Sequence, residues 1–446
     1  MKMLMNRFTI NTAVLLLGLL PVALNAQQPK ISNFRPYDQT GINKFETSKG
    51  DTVKFDGLKI RWGAGFTQQF QNLKHENPGA LNNTGSGANR LYPIDNGFMT
   101  SQANLFMDVQ LADGIKLNVT SYLSARHHNE TWVKGGYIQF DKVPFKGQFW
   151  DDLMKITTVK IGHFEVNYGD QHFRRSDGGQ TLYNPFMDNY IIDEFATEIG
   201  GEVYVQKNGW LGMIGVTNGM IKGSIDSAIA TAQDGNVRRN PSIYFKGSYD
   251  TKVDENVRVR LSASYYTNYS NAGSGLTLYG GDRTGSNYQN VMEKGVIGAL
   301  PASTAVAFSG RFNPGFSKKI TATMINAFVK AYGFEFFGTY EGSKGRTKTE
   351  VDDRKASQFA VDGVYRFGKA ENFFVGLRYN NATARLQGFA ADVSVRRTAF
   401  AAGWFMTKNV LLKGELVNQK YIDFPTSDYR ASGKFSGYVI EAVVGF

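Results

Sequence analysis

Ser436-Gly437-Tyr438-Val439-Ile440-Glu441-Ala442-Val443-Val444-Gly445-Phe446 is the stretch from which the rest of the chain can be read. A β-strand sends successive side chains to opposite faces. Ser436, Tyr438, Ile440, Ala442, Val444 and Phe446 then share one face, and Gly437, Val439, Glu441, Val443 and Gly445 share the other. The first face is almost wholly apolar, with an aromatic ring toward each end. The second holds a carboxylate in mid-strand. Such a strand suits a sheet that meets an apolar medium on one side and a polar interior on the other.

The opposite end of the chain agrees. Lys2 and Arg7 are positive, Ala13 to Leu20 are almost entirely apolar, and Ala26 is a small residue before Gln27. This is the pattern of a secretory signal peptide over residues 1–26, too short and wrongly flanked for a spanning helix. No later stretch reaches the ~18–20 apolar residues that a spanning helix needs. Cysteine is absent, so an exported chain of this kind has no disulfide framework and relies on a large core or a closed sheet. A length of 446 residues allows two or three soluble domains, yet no Pro- or Ser-rich linker divides the chain. Its 49 Gly against 11 Pro, with 33 Phe and 22 Tyr, fit a glycine-punctuated sheet with aromatic girdles. The formal net charge of +11 suits solvated loops, acidic lipid head groups or a field that draws anions. No basic run is interleaved with aromatics on one element, which argues against nucleic acid as a partner.

Residues 27–56 are polar with little periodicity and read as a periplasmic lead-in to a barrel spanning residues 57–446. Alternation starts with Leu58, Ile60, Trp62, Ala64 and Phe66 against Lys59, Arg61, Gly63, Gly65 and Thr67. Leu73 to Gly97 is rich in Asn and Gly and reads as a loop. Asp113-Gly114 joins two alternating runs as a two-residue hairpin. Later runs begin near Thr131, Lys155, Thr197, Trp210, Ser242, Val257, Lys319, Gly333, Ser357, Phe373, Ser394, Val410 and Phe435. Many are about ten residues long, as a tilted membrane strand requires. Their connections alternate between short and long, as they do in barrels with short periplasmic turns and long outer loops. Counting Thr304–Phe312 as a spanning strand makes the total odd and puts the long gap after Tyr269 on the periplasmic side. Treated as an excursion of an outer loop, it leaves sixteen strands, and Gly169–Ala196 becomes the third outer loop. The expected fold is therefore all-β, a 16-stranded antiparallel transmembrane β-barrel. Sixteen strands imply a water-filled channel rather than a packed interior.

The run Val159-Lys160-Ile161-Gly162-His163-Phe164-Glu165-Val166-Asn167-Tyr168-Gly169 resembles the "rvGqfkvPfG" stretch of the phosphate-selective porin O and P family. Gly135–Phe140 resembles the strand before that motif. The resemblance covers Gly135 to Gly219 and departs from the pattern at Asn167-Tyr168, where the family often has Pro-Phe. It implies a porin-like barrel in a Gram-negative outer membrane, a homotrimer, and a third outer loop that folds inward to narrow the pore. The final strand likewise resembles the C-terminal strand by which such barrels are recognised by the barrel-assembly machinery.

Strand parity nominates inward cations for an anion path: Arg61, Lys116, Arg258, Arg260, Arg366, Arg378, Arg397 and Lys413, with Arg174 and Arg175 from the third outer loop. Arg and Lys rings select anions, and Arg can grip phosphate through paired N–H donors. Inward acids are Asp108, Asp362, Glu415 and Glu441, and Glu415 lies two residues from Lys413 on one face, placed to pair with it. Arg174-Arg175-Ser176-Asp177 also reads as a turn in which Asp177 pairs an arginine. The expected function is diffusion of small hydrophilic solutes across the outer membrane with a bias toward anions, phosphate-type anions included. The partners are then outer-membrane lipid and the solutes, with no cofactor. Two other readings compete: a surface-exposed binding or adhesion barrel plugged by its loops, and an outer-membrane hydrolase using His163 and His172 near Ser176 and Asp177. No nucleophile elbow supports the hydrolase. His127-His128 with Glu130 form the nearest approach to a metal site; adjacent residues on a strand point apart, so no shared metal is expected.

Overall fold

The structure is a computed structural model that describes residues 28–99, 102–124, 131–176, 180–220, 230, 232, 235, 239–271, 275–281, 287–295 and 309–446. The signal-peptide reading, His127, His128, Glu130, Asp177 and residues 304–308 lie outside them.

Sixteen long strands follow one another around a closed antiparallel sheet. They are β1 (Lys59–Glu76), β2 (Gln102–Ala112), β3 (Ile115–Ser124), β4 (Thr131–Phe140), β5 (Thr157–Glu165), β6 (Thr197–Lys207), β7 (Trp210–Thr217) and β8 (Ser242–Lys252). The circle continues with β9 (Val257–Asn268), β10 (Lys319–Ala331), β11 (Phe334–Arg346), β12 (Arg354–Phe367), β13 (Phe373–Ala384), β14 (Val393–Thr407), β15 (Val410–Ile422) and β16 (Lys434–Gly445). Each pairs with the next, and β16 closes on β1 from Gly65↔Gly445 to Glu76↔Lys434. Closure leaves no open edge, which is what allows a sheet to sit in lipid. β1 runs on to Glu76, beyond the loop boundary expected at Leu73, because β16 pairs with it as far as Glu76↔Lys434. A short helix, α1 (Gln148–Met154), fills the connection between β4 and β5. Ser309–Phe312 form an isolated bridge and a turn outside the barrel wall.

The faces of β16 divide as the alternation requires. Tyr438, Ile440 and Phe446 are exposed, whereas Val439, Glu441 and Val443 are buried. The same holds around the barrel: Leu261, Phe359, Leu377 and Leu416 point outward, while Asp362, Asn380, Gln419 and Lys413 are buried. Trp62, Trp210, Tyr249, Phe334, Phe373 and Trp404 add exposed rings. This is an inside-out distribution, apolar toward the surroundings and polar toward the axis, and it fits lipid outside rather than water. Tight turns join the strands at one end. Asn208-Gly209 and Tyr332-Gly333 both adopt positive φ, the pairing whose twist matches the flanking strands.

Candidate functional site

The chain leaves β5 at Glu165 and does not follow the wall. Residues 166–176 and 180–196 are buried almost throughout. Val166 N donates to Ala196 O at 3.0 Å, closing the neck of the segment. Gly169 makes the entry turn at φ +71, and a Cβ there would strike Met324 Sδ on β10. Irregular backbone at this depth needs partners for its N–H groups. The inward side chains of the wall supply them. Met187 N donates to Glu415 Oε2 (2.9 Å), Ile191 N to Asn380 Oδ1 (2.7 Å) and Ile192 N to Gln358 Oε1 (2.8 Å). Asp170 N donates to Asn326 Oδ1 at 2.9 Å. The inward acids and amides of β10 to β15 thus hold this segment in place.

Residues 28–56, read from sequence as a lead-in, pack against the barrel interior at the end where the short turns lie. Gln39 N donates to Lys408 O (2.8 Å) in the β14–β15 turn, and Gln39 Nε2 to Ala370 O (3.1 Å) in the β12–β13 turn. Across the mouth, Lys49 Nζ donates to Thr157 O at 2.8 Å, and Lys116 Nζ to Ser32 O at 2.9 Å. Glu46 sits between Lys246 (2.8 Å) and Arg260 (2.8 Å). Burial raises the Glu46 pKa, but Arg260 and Lys246 outweigh it and hold the carboxyl at about 2. Asn167 Nδ2 donates to Glu46 Oε1 at 3.0 Å, and Lys246 Nζ donates to Asn167 Oδ1 at 2.6 Å. Two segments distant in sequence therefore meet at one charge cluster.

All ten nominated cations are turned inward or held by buried groups, and each is engaged. Arg61 pairs with Asp108, Arg175 with Asp193, and Lys116 with Asp141 at 2.5 Å. Arg258 pairs with Asp250 at 2.6 Å, and Arg260 with Asp170 at 2.8 Å as well as with Glu46. Arg366 meets Glu335 (2.7 Å), Arg378 meets Asp362 (2.7 Å) and Arg397 meets Asp188 (3.1 Å). Arg174 donates to Asn43 Oδ1 at 2.7 Å and lies over the Phe337 ring. Lys413 pairs with Glu441 across the sheet at 3.2 Å rather than with Glu415, whose oxygens accept from Met187 N and Tyr288 OH. Each pair is a local necessity: a cation taken out of water needs a carboxylate or several acceptors.

Among the described residues, a cavity of about 280 Å³ lies between the inner wall of β2 to β6 and the two inserted segments. None of the ten nominated cations is among its lining residues. Its cations are Arg35, Lys134 and Lys160, its acids Glu46 and Glu165, and ten of its lining residues are Phe or Tyr. Lys160 follows simple parity, because Ile161 beside it is exposed. Lys134 does not. Ile138 faces outward, so strict alternation would send Lys134 outward too. The β3–β4 register jumps from Thr120↔Gly135 to Ser121↔Val133, leaving Lys134 as the extra residue of a bulge. Val133 then takes the outer face and Lys134 lines the cavity. Bulges re-aim a side chain in this way, and single-sequence alternation gives no sign of them.

His172 also lines the cavity. Burial, with Lys246 adding to it, holds its pKa well below the usual histidine value. Its neutral ring donates from Nε2 to Asn167 Oδ1 at 2.9 Å. The hydrogen bonds of Ser176 run to Phe186 O, Asn184 Nδ2 and Asn189 Oδ1. His163 lines the cavity from β5.

The fold and the filled lumen together define a class, the sixteen-stranded β-barrel with segments inserted in its bore. Solved structures of outer-membrane proteins are similar to the chain. The anion-selective porin from Comamonas acidovorans matches with a TM-score of 0.52 and 11% identity over 87% of this chain and 100% of its own. OmpT of Vibrio cholerae gives 0.48 at 8% identity over 88% and 99%, and the outer membrane channel DcaP of Acinetobacter baumannii gives 0.48 at 10% over the same shares. At these identities the likeness is one of fold. No family model and no curated protein sequence matches the chain.

Proposed function

We propose that this chain is an outer-membrane porin that passes small hydrophilic solutes through the cavity beside β2 to β6. The observation that carries the reading is a closed, outwardly apolar barrel whose polar interior keeps an open volume against one wall. Residues 166–196 form the constriction from one side and residues 28–56 from the other. A mild anion bias is read from the lining: with Lys160 paired to Glu202 at 3.3 Å and Glu46 to Lys246 and Arg260, the lining counts Arg35 and Lys134 against Glu165. A phosphate-selective arginine row is not part of the proposal, because seven of the eight candidate guanidiniums are engaged by carboxylates and Arg174 is held by Asn43. The homotrimer implied by the resemblance belongs to the proposal and is tested by the mass of the detergent-solubilised protein.

Single-channel recording of refolded protein in a planar bilayer tests the reading. Discrete openings are expected, with a reversal potential under a salt gradient on the anion side. A bilayer that stays silent would favour the second reading, a plugged surface-binding barrel, which gains from the two segments packed in the bore.

A further inference from the structure

We infer that the outward rim of β11 to β16 and β1, at the end away from the tight turns, binds the phosphate-bearing head groups of lipid in the outer leaflet. The inference goes beyond solute passage and rests on the outer wall alone. Strand register gathers the cations. Arg396 on β14 lies opposite Lys420 on β15, and Lys420 lies opposite Lys434 on β16. All three are exposed, so three successive strands carry a row of outward positive charge at a strand spacing of about 5 Å. Lys74 on β1 is exposed next to this row, opposite Ser436. Lys344 on β11 lies opposite Lys355 on β12, and both are exposed. Like charges directly opposite one another destabilise a sheet, and the protein supplies little to offset them here. Glu76 pairs with Lys434 at 2.9 Å, and Arg396 Nε donates to Asn381 Oδ1 at 3.4 Å. Among the described residues, no carboxylate forms an ion pair with Arg396, Lys420, Lys74, Lys344 or Lys355. Cations of the inward face are treated differently: Arg397, next to Arg396, pairs with Asp188, and Lys413 with Glu441. The chain neutralises its inward cations itself and leaves these outward ones to the surroundings.

What lies beside the cations identifies the partner. One step along each strand toward the tight turns, the outward face shows Thr398, Asn418 and Ser436 in register. The next step shows Phe400, Leu416 and Tyr438. All six are exposed. Beyond Lys344 and Lys355 the outward face likewise reaches Tyr340 and Phe359, in register and exposed. Charge, then hydroxyl or amide, then apolar surface follow one another within about 13 Å, four residues of strand. A lipid presents the same order from its phosphate through its polar linkage to its acyl chains, and the apolar rows already face those chains. Tight turns lie on the periplasmic side of such barrels, so this rim faces the outer leaflet. Basic residues at the edge of an apolar band draw anionic lipid. Free phosphate uses the cations only, and an acidic soluble protein meets rows that lipid covers.

Native mass spectrometry of the refolded full-length protein in detergent, titrated with lipid A, tests the inference, with dephosphorylated lipid A and inorganic phosphate as comparisons. Lipid A is expected to saturate in a range where its dephosphorylated form does not. Arg396→Gln and Lys420→Gln should each weaken it about fivefold, the worth of one Lys or Arg near a charged lipid surface. Lys420→Arg should retain binding, and Lys369→Gln, exposed in the tight turn between β12 and β13, should leave it unchanged. The substituted side chains stand outside the barrel, so the circular dichroism of every variant should match the parent. Equal affinity for the dephosphorylated lipid overturns the proposal, because acyl chains alone then account for binding. Displacement of lipid A by an equal concentration of inorganic phosphate overturns it as well, and so does unaltered affinity in both folded glutamine variants. Bilayer recording is independent of this test. A silent protein that binds lipid A loses the channel and keeps the surface, while a conducting protein that ignores lipid A loses the surface and keeps the channel.

Discussion

Asn167 and Tyr168, where the β5 stretch departs from the family pattern it resembles, carry contacts that Pro and Phe lack the groups to make. Asn167 uses its amide on Glu46, His172 and Lys246, and Tyr168 OH donates to Glu341 Oε1 at 3.0 Å. Glu46 is the counterpart in residues 28–56. Its folded pKa of about 2 lies below the ordinary 4.5. A depressed carboxyl pKa stabilises the fold above its unfolded value, so the contribution of Glu46 is full above about pH 4.5 and is lost as pH falls toward 2. Limited proteolysis of residues 28–56 across that range should show cleavage rising as the pH drops. Glu46→Gln should raise cleavage at neutral pH and shift the reversal potential further toward anions, because Lys246 and Arg260 then share only Asp170 and Asp250. Burial also orders the arginines. Arg378→Ala strands Asp362 inside the bore and should cost about 3–5 kcal/mol in urea unfolding, whereas Arg258→Ala, at a partly exposed pair, should cost about 1 kcal/mol or less.

Two elements pack against the inward side chains of the wall, and they are held differently. Residues 166–176 and 180–196 hang from wall side chains through their own backbone N–H groups, while residues 28–56 grip the turns at one mouth and the charge cluster around Glu46. A chain lacking residues 28–56 should therefore still close its barrel and should conduct at least about twice as well, because one side of the constriction is gone. Single-channel recording beside the full-length protein checks this; an unchanged conductance would place the constriction wholly in residues 166–196. Asn380 Oδ1 accepts from Ile191 N, and Gln358 both accepts from Ile192 N and donates to Ile192 O, which gives the inward amides of this face a structural use. Their use as backbone partners appears only once the segment lies against them.

At the scale of the whole barrel, each strand separates two media, and the cost of a charge depends on which side it falls. Ile440 is exposed in the middle of β16, one residue from the buried Glu441. Ile440→Lys should destabilise the barrel by about 2–4 kcal/mol in bilayer-based unfolding, the range for a cation on the lipid face near the midplane. The positive charge of Lys413, on the neighbouring strand but facing inward, is held by Glu441.

Alternation and connection length in the amino-acid sequence were enough to determine sixteen strands, their inward and outward faces, and the position of Gly169–Ala196 between β5 and β6. They suffice because a two-residue period and the need to bury apolar surface against lipid act strand by strand. What fills the bore was decided by tertiary structure. Residues 28–56 have no period to betray their place, the bulge that turns Lys134 inward breaks the parity on which the reading rests, and the partners of Arg260, Arg378 and Arg397 come from segments far away in the chain. Parity names the side on which a charge lies; only closure of the barrel around the segments packed in its bore determines which charges neutralise one another.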